Sequence, residues 1–248
     1  MIRSMLRALA AFWLPFCATA GAALTMDAYV AAASAADPVR HIGIYVQPYY
    51  EAARRPDAKP LVLIDKSFDG LLSSNRREDI LSARDKIVAE PKRVTPMTMM
   101  VLAIRLYDVG LRDDAVFWFY AAKDRFITLA GVIDIRVANL AGVEEAVKSF
   151  ATLAGPVING YAFCDLAKQK DQRAKAFAFV EQNPYEPIFM RQLPARPGDR
   201  QDNLRRALEA IKGDVAKERA HFENPANVAE FVASRKQNET DAKYCWRQ

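Results

Sequence analysis

The sequence of 248 residues is poor in the residue types that most often carry chemistry, since it has two histidines and three cysteines. The histidines form no H-E-x-x-H pair, and His221 with Glu223 gives the H-x-E of zinc deaminases without the P-C-x-x-C that completes their metal set. Glycine-rich phosphate loops and the G-x-S-x-G motif of serine hydrolases are also absent. These absences exclude the common zinc, serine-hydrolase and nucleotide-binding signatures, so we expect no metal site and no cofactor.

Long apolar runs are missing except near the beginning of the chain. There Arg3 and Arg7 precede an apolar stretch over residues 8–17, and small residues follow at 18–22. Basic residues, an apolar stretch and small residues in this order are typical of a secretory signal peptide. We expect residues 1–22 to be a signal peptide, with cleavage as late as residue 35 as the alternative, and the mature protein to be periplasmic or secreted. An uncleaved anchor and lipid attachment at Cys17 are less favoured, and we expect no stable membrane span after cleavage.

Cysteine is scarce beyond the expected signal peptide, where Cys164 and Cys245 are the two that remain. An even pair in an oxidising compartment is most simply one disulfide. Closing a loop of about 80 residues stabilises a fold by roughly 4 kcal/mol on the chain-entropy model. Neither cysteine belongs to a C-x-x-C motif or stands beside a histidine, so a structural disulfide is favoured over a redox-active or nucleophilic thiol.

Charge of one sign does not dominate the chain, because 35 Lys and Arg residues stand against 30 Asp and Glu residues. Basic pairs such as Arg76-Arg77 and Arg205-Arg206 are scattered, with acidic residues between them. Nucleic-acid binding favours a basic stripe with few compensating acids. We therefore expect another protein as the partner and no nucleic acid, while weak attraction to anionic envelope lipids stays open.

Beyond residue 75, apolar residues recur at helical spacing, and prolines and glycines mark the helix ends. The spacing predicts a helix over residues 78–89 and then a helical hairpin that begins at Thr95-Pro96 and turns at Gly110. The second helix of this hairpin, over residues 115–122, is apolar on nearly every side, so we expect it to be the most buried element.

The rest of the chain extends this pattern. A helix from Val143 is expected to end near Gly155-Pro156, with a separate short helix over residues 157–163, and further helices follow around residues 174–180, 204–215 and 228–232. Residues 183–198 contain four prolines and predict a long loop. Residues 42–64 predict a short extended segment. The predicted fold is a single all-α domain over residues 36–248, a helical bundle with a short extended N-terminal segment.

Small and large residues alternate in a distinctive way along the hairpin at residues 95–126. The residues concerned are Ala103, Leu106, Gly110, Ala115, Phe119 and Ala122. Their spacing resembles that of a single tetratricopeptide or Sel1-like repeat, and no clear second copy follows at a period of about 34 to 40 residues. The resemblance implies one repeat-type hairpin inside a larger bundle, and hairpins of this kind build scaffolds that bind other proteins.

Three tyrosines in the expected extended segment are the candidate binding residues: Tyr45, Tyr49 and Tyr50. Exposed tyrosines supply amphipathic contact area for proteins or sugars. The alternative is that they cover the helical core.

The sequence therefore favours an exported, non-enzymatic protein that acts through protein–protein contact. An immunity or inhibitor partner of a secreted toxin and an envelope adaptor both fit the size and the location. The alternative class is a cell-envelope hydrolase that uses carboxylates, with Asp65, Asp69 and His41 as the candidate groups.

Overall fold

A computed structural model describes residues 38–44, 66–137 and 140–246. All of them belong to one compact unit that runs from Ala35 to Gln248. Within these ranges the β-structure is limited to an antiparallel bridge between Ile133 and Ala195. The predicted all-α class is confirmed. None of the helices in the same ranges is long and apolar enough to cross a membrane.

The described residues form nine α-helices joined by short connections. They are α1 (Lys66–Ser73), α2 (Arg77–Ala89), α3 (Pro96–Asp108), α4 (Arg112–Val132), α5 (Ala141–Ala162), α6 (Leu166–Gln182), α7 (Arg200–His221), α8 (Pro225–Gln237) and α9 (Thr240–Tyr244). Two short 3₁₀ helices lie at Pro91–Arg93 and Glu186–Phe189.

The predicted hairpin is present and forms the centre of the bundle. Helix α3 begins where expected, because the hydroxyl oxygen of Thr95 accepts a hydrogen bond from the amide of Thr98 and Pro96 occupies the first turn. Gly110 takes a φ of +82°, a left-handed conformation that favours glycine, and the chain reverses there into α4. Helices α2, α5 and α6 pack around the pair, and α7 covers the outer side of α4.

The most completely buried element is α3 and not α4, so that part of the prediction is wrong. Every residue of α3 from Pro96 to Tyr107 is buried. Helix α4 keeps partly exposed residues such as Phe117 and Ile127. The hairpin is therefore a core element, and α3 leaves no face open to a partner.

Helix α5 runs unbroken through Pro156, whereas two helices were predicted there. A proline in a helix removes one amide donor, and here the unpaired acceptor would be the carbonyl of Thr152. Pro156 and Thr152 are both exposed, so water can satisfy that carbonyl. Gly155 lies on the buried side of the same turn, against the ring of Phe119.

The loop predicted at residues 183–198 is present between α6 and α7. The guanidinium of Arg200, at the start of α7, holds it by donating to the carbonyls of Ile188 and Leu193. The predicted extended segment lies mostly outside the described residues. Its described part, up to Ile44, has no regular secondary structure, and Ile42 and Ile44 pack against the main core.

Candidate functional site

The N-terminal segment at residues 38–44 is held by the other end of the chain. The amide of Val39 donates to the carbonyl of Lys243 at 2.8 Å. The carbonyl of Val39 accepts from the Tyr107 hydroxyl at 2.9 Å and from the indole nitrogen of Trp246 at 3.2 Å. We call this set, together with Arg112, the clasp.

Arg112 is the charged centre of the clasp. Both of its terminal nitrogens donate to the carbonyl of Trp246 at 3.1 Å. Its guanidinium carbon lies 4.0 Å from the centroid of the Trp246 ring and 4.5 Å from that of Tyr161. A guanidinium at these distances is attracted to both ring faces, and Arg40 adds a third contact at 4.9 Å from the Trp246 ring.

Two further contacts fix the positions of these two ends. The amide of Ile42 donates to a carboxylate oxygen of Asp108 at 2.7 Å, at the C-terminal end of α3. On the opposite side, the ring of Tyr244 lies directly on Gly160, where an added Cβ would come within 2.5 Å of the ring. Glycine at residue 160 therefore lets α9 approach α5 closely enough for the clasp to close.

The predicted disulfide between Cys164 and Cys245 is present and lies beside the clasp, with the two Cα atoms 5.5 Å apart. Arg235 of α8 reaches under it. One terminal nitrogen of Arg235 lies 3.0 Å from the carbonyl oxygen of Gly160 and 3.2 Å from Sγ of Cys245. Its Nε donates to Asp241 at 2.7 Å. The C-terminal residues are thus held by a covalent bond and by a buried cation.

A second constellation lies between α4, α6 and α7. The Arg173 guanidinium donates both terminal nitrogens to the Asp124 carboxylate, at 2.5 and 3.0 Å. Arg173 also approaches Glu218 at 3.8 Å. The Asp124 side chain is 3% exposed, so this charge pair is almost entirely removed from water.

Neutral groups complete this network. The side-chain amide of Gln169 donates to Glu218 at 2.6 Å and to the Tyr120 hydroxyl at 3.2 Å, and that hydroxyl donates to Asn159 at 3.1 Å. The ammonium of Lys123 lies 6.0 Å from the centroid of the Tyr120 ring. The polar groups of α4, α6 and α7 therefore form one connected set.

Burial determines how the groups of this network ionise. It raises the pKa of Asp124 and of Tyr120, because the charged form of each loses its hydration. It lowers the pKa of Lys123 for the same reason. Perturbed pKa values are common at active sites but also occur in structural ion-pair networks.

A small cavity lies beside the network, and its size indicates whether these groups could act on a substrate. Its volume is about 50 Å³, and its lining includes Asp113, Tyr161, Cys164, Lys168 and Gln169. The Asp113 carboxylate is already hydrogen-bonded, since it accepts from the Tyr161 hydroxyl at 2.7 Å and from the Lys168 ammonium at 2.8 Å. A volume of this size is on the scale of a few water molecules and is too small for an organic substrate.

Comparison with known proteins gives one close relative. The chain is 34% identical over 210 residues to an uncharacterized protein of Haemophilus influenzae (strain ATCC 51907 / DSM 11121 / KW20 / Rd), a match that covers 85% of this chain and 81% of the relative. The two proteins belong to one family. No protein-family model matches the chain. No solved structure matches it either.

Most of the candidate binding and catalytic residues predicted from the sequence lie outside the part of the chain that the structure describes. The candidate tyrosines Tyr45, Tyr49 and Tyr50 lie outside the described residues, as does Asp65 of the hydrolase alternative. His41 is exposed, and Asp69 is half-buried in the first turn of α1. No group of three or more His, Cys, Asp or Glu side chains that could hold a metal ion occurs in the described part of the chain.

The Asp124–Arg173 pair and the roles of Arg112 and Arg235 were not predicted from the sequence. One signal was available for the pair. Lys123, Asp124 and Arg125 stand in the middle of a helix that is otherwise apolar on nearly every side, and buried charges require partners. The identity of the partner had no such signal, because Arg173 lies 49 residues further along the chain.

Proposed function

We propose that this protein is exported and acts without catalysis, by binding another protein in the cell envelope or outside the cell. The observation that carries the proposal is the Asp124 network and its cavity. The charged groups Asp124, Arg173 and Glu218 are engaged with one another, and the adjoining cavity of about 50 Å³ has no room for a substrate. The arrangement is that of a structural ion-pair network.

The disulfide supports the location. Disulfides persist in oxidising compartments and are rare where thiol reductants are abundant. Cys164 is exposed, so a reducing cytosol would have access to this bond. A signal peptide at residues 1–22 would deliver the domain to the periplasm or the exterior, where the bond is maintained.

The position of the clasp supports three tyrosines as the residues that contact the partner protein. It fixes residues 38–44, and the next residue of the chain is Tyr45, followed by Tyr49 and Tyr50. Helix α3 of the repeat-type hairpin is buried on all sides and offers no surface. We therefore keep the three tyrosines as the proposed contact residues. Immunity to a secreted toxin and an adaptor role are both forms of this function.

Site-specific photo-cross-linking tests the proposal. A photoreactive phenylalanine analogue replaces Tyr49 in the exported protein, and the same analogue replaces Val88 as the matched control. Val88 is 57% exposed on α2 and belongs to none of the proposed contacts. Irradiation of intact cells is expected to give one discrete protein adduct from residue 49 and none from residue 88, and the adduct should disappear when Tyr45 and Tyr50 are both replaced by alanine.

Two results would contradict the proposal. Equal adducts from both positions would show that residue 49 has no specific partner. Hydrolysis of a cell-wall or ester substrate by the purified protein, lost in Asp65→Ala, would replace the binding function with the hydrolase alternative. Co-expression of genes neighbouring the protein's own gene separates an immunity role from an adaptor role, because only the former protects cells from a toxin.

A further inference from the structure

The two sulfurs of the disulfide differ in their surroundings. Cys164 is exposed, at the junction of α5 and α6, and it is one of the residues that line the cavity of about 50 Å³. Cys245 is half-buried, and Arg235 approaches its sulfur. Thiol–disulfide exchange depends on which sulfur an attacking thiolate can reach and on how well the other sulfur leaves as a thiolate. Here Cys164 carries the sulfur that an attacking thiolate can reach, and Cys245 carries the sulfur that is placed to leave.

Arg235 is placed to stabilise a departing thiolate. Its terminal nitrogen lies 3.2 Å from Sγ of Cys245 and 3.6 Å from Sγ of Cys164. The Arg235 side chain is 8% exposed and is the buried side chain of α8. A buried guanidinium that donates a hydrogen bond to a sulfur favours the thiolate form of that sulfur and makes it a better leaving group.

One charge opposes this effect. A carboxylate oxygen of Asp241 lies 3.4 Å from Sγ of Cys245 and also accepts from Arg235. The Asp241 side chain is 63% exposed, so water screens its charge, whereas Arg235 faces the sulfur from the protein side. The guanidinium therefore dominates the field at Cys245.

We propose that the Cys164–Cys245 disulfide is a site of thiol–disulfide exchange with a dithiol protein, in which Cys164 is attacked and Cys245 leaves. The thiolate of the dithiol forms a bond to Sγ of Cys164 while the bond between the two cysteines breaks, and its electron pair goes to Sγ of Cys245. The second thiol of the dithiol then displaces Cys164. The dithiol partner ends as a disulfide, this protein ends with two thiols, and two electrons have passed between them.

The exchange has a structural consequence for the clasp. Cys245 is covalently linked to Cys164 in the connection between α5 and α6, and the next residue, Trp246, supplies the ring and the carbonyl that hold Val39 and Arg112. Reduction removes the covalent link and leaves these contacts to close the clasp on their own. The bond therefore controls how firmly residues 38–44 are held, whatever partner the domain binds.

Glutathione is the probe that tests which sulfur is attacked. The folded, oxidised mature protein is mixed with glutathione and quenched with acid at short times. Free thiols are then alkylated, and the peptides are identified by mass spectrometry. We expect glutathione on Cys164 and the alkyl group on Cys245. Glutathione mainly on Cys245, or no reaction without denaturant, overturns the proposal.

Three variants test the role of Arg235 in the same assay. Arg235→Gln keeps a hydrogen-bond donor but removes the charge, and it is expected to slow reduction by about tenfold. Lys236→Gln is the matched control, because Lys236 is an exposed neighbour of the same charge, and its rate should stay within about twofold of the wild type. Asp241→Asn should leave the rate unchanged or raise it.

The outcome remains decisive if Arg235→Gln does not fold, as judged by its circular dichroism. Asp241→Asn then carries the test, since it removes the opposing charge and keeps a side-chain oxygen that can accept from Nε of Arg235. A rate that falls in Asp241→Asn, or a rate that is unchanged in a folded Arg235→Gln, contradicts the assignment of Arg235.

Discussion

The guanidinium of Arg112 stacks on the indole ring of Trp246, with 4.0 Å between the guanidinium carbon and the ring centroid. The two residues lie 134 positions apart in the chain, and Arg112 also donates both terminal nitrogens to the Trp246 carbonyl. This contact joins the start of α4, the second helix of the hairpin, to the C-terminal residues of the domain. Because Trp246 also donates to Val39, the same side chain holds the N-terminal segment.

The first prediction concerns Trp246. Trp246→Ala removes the cation–π contact and the hydrogen bond to Val39, and we expect it to lower the free energy of unfolding by about 2 to 3 kcal/mol. Trp246→Phe keeps an aromatic face and loses only the indole donor, so it should cost about 1 kcal/mol. Urea unfolding of both variants measures the difference. Equal stability of Trp246→Ala and the wild type would mean that the clasp contributes nothing to folding.

The second prediction concerns alkaline pH. Burial raises the pKa of Tyr107 to about 12, above the usual value of about 10, so the folded state binds this proton more tightly than the unfolded state does. The stability that Tyr107 contributes is therefore complete below about pH 10 and is lost as the pH rises towards about 12. Tyr107→Phe should be less stable than the wild type by about 1 kcal/mol at neutral pH, since it lacks the bond to Val39.

The measurement for Tyr107 is urea unfolding at a series of pH values. The difference in stability between the wild type and Tyr107→Phe is expected to shrink between about pH 10 and pH 12, because only the wild type loses this proton on unfolding. The raised pKa of Tyr120 has no contribution from Tyr107, so Tyr120 titrates in both proteins and cancels in the comparison. A difference that stays constant with pH would contradict the raised pKa.

Local signals in the sequence predict much of the helical fold. Thr95 and Pro96 mark the start of α3 because capping and the fixed φ of proline act within a few residues. Pro156 misled the prediction for the same reason: its local effect is to end a helix, but it lies on the exposed side of α5, where water replaces the lost bond. Whether a side chain faces solvent is decided by packing between helices, which local spacing does not contain.

Part of the candidate site could also be predicted from local signals in the sequence, and part could not. The Cys164–Cys245 pair could be predicted by counting, since two cysteines in an oxidising compartment allow one pairing. Arg235 beneath that bond could not, because α8 is largely exposed and an arginine is an ordinary residue on such a helix. Its position depends on how α8 and α9 fold back onto α5, a relationship between distant parts of the chain.

The third prediction concerns the buried ion pair. Asp124→Ala leaves the Arg173 guanidinium without its bidentate partner, and we expect a loss of about 3 to 5 kcal/mol. The double variant Asp124→Ala with Arg173→Met should lose less than the sum of the two single changes, because the guanidinium and its carboxylate partner are removed together. Asp214→Ala is the control on α7, where the exposed pair with Lys217 should be worth no more than about 1 kcal/mol.

Comparing the double variant with the sum of the two single variants tests whether Asp124 and Arg173 are coupled. If the double variant loses the full sum of the single effects, Asp124 and Arg173 act independently and the network is not a coupled unit. Calorimetry or urea unfolding of the four proteins in the cycle supplies the values.

The fourth prediction concerns Arg125, which is completely buried and pairs with carbonyl groups. It donates to Pro91, to Val94 at 3.0 Å and to Asn183 at 2.7 Å, and burial lowers its pKa to about 10, so it remains charged at neutral pH. Arg125→Met keeps much of the volume but leaves these carbonyls unpaired, and we expect a loss of about 2 to 4 kcal/mol.

Arg125→Lys is the comparison for this site. A lysine offers fewer donors in a different geometry but can still reach some of the carbonyls, so its loss should be smaller than that of Arg125→Met. Thermal unfolding measures both. If Arg125→Met proves as stable as the wild type, relief from burying the charge outweighs the three hydrogen bonds.

The most direct test of an exported domain locked by its disulfide is the intact mass of the protein recovered from its own cells after free thiols have been trapped by alkylation. We expect a chain that lacks the signal peptide, with its N-terminus at residue 23 or as late as residue 36, that carries no alkyl group and that is lighter than the dithiol by two hydrogen atoms. A full-length chain with Cys164 and Cys245 both alkylated would contradict the account.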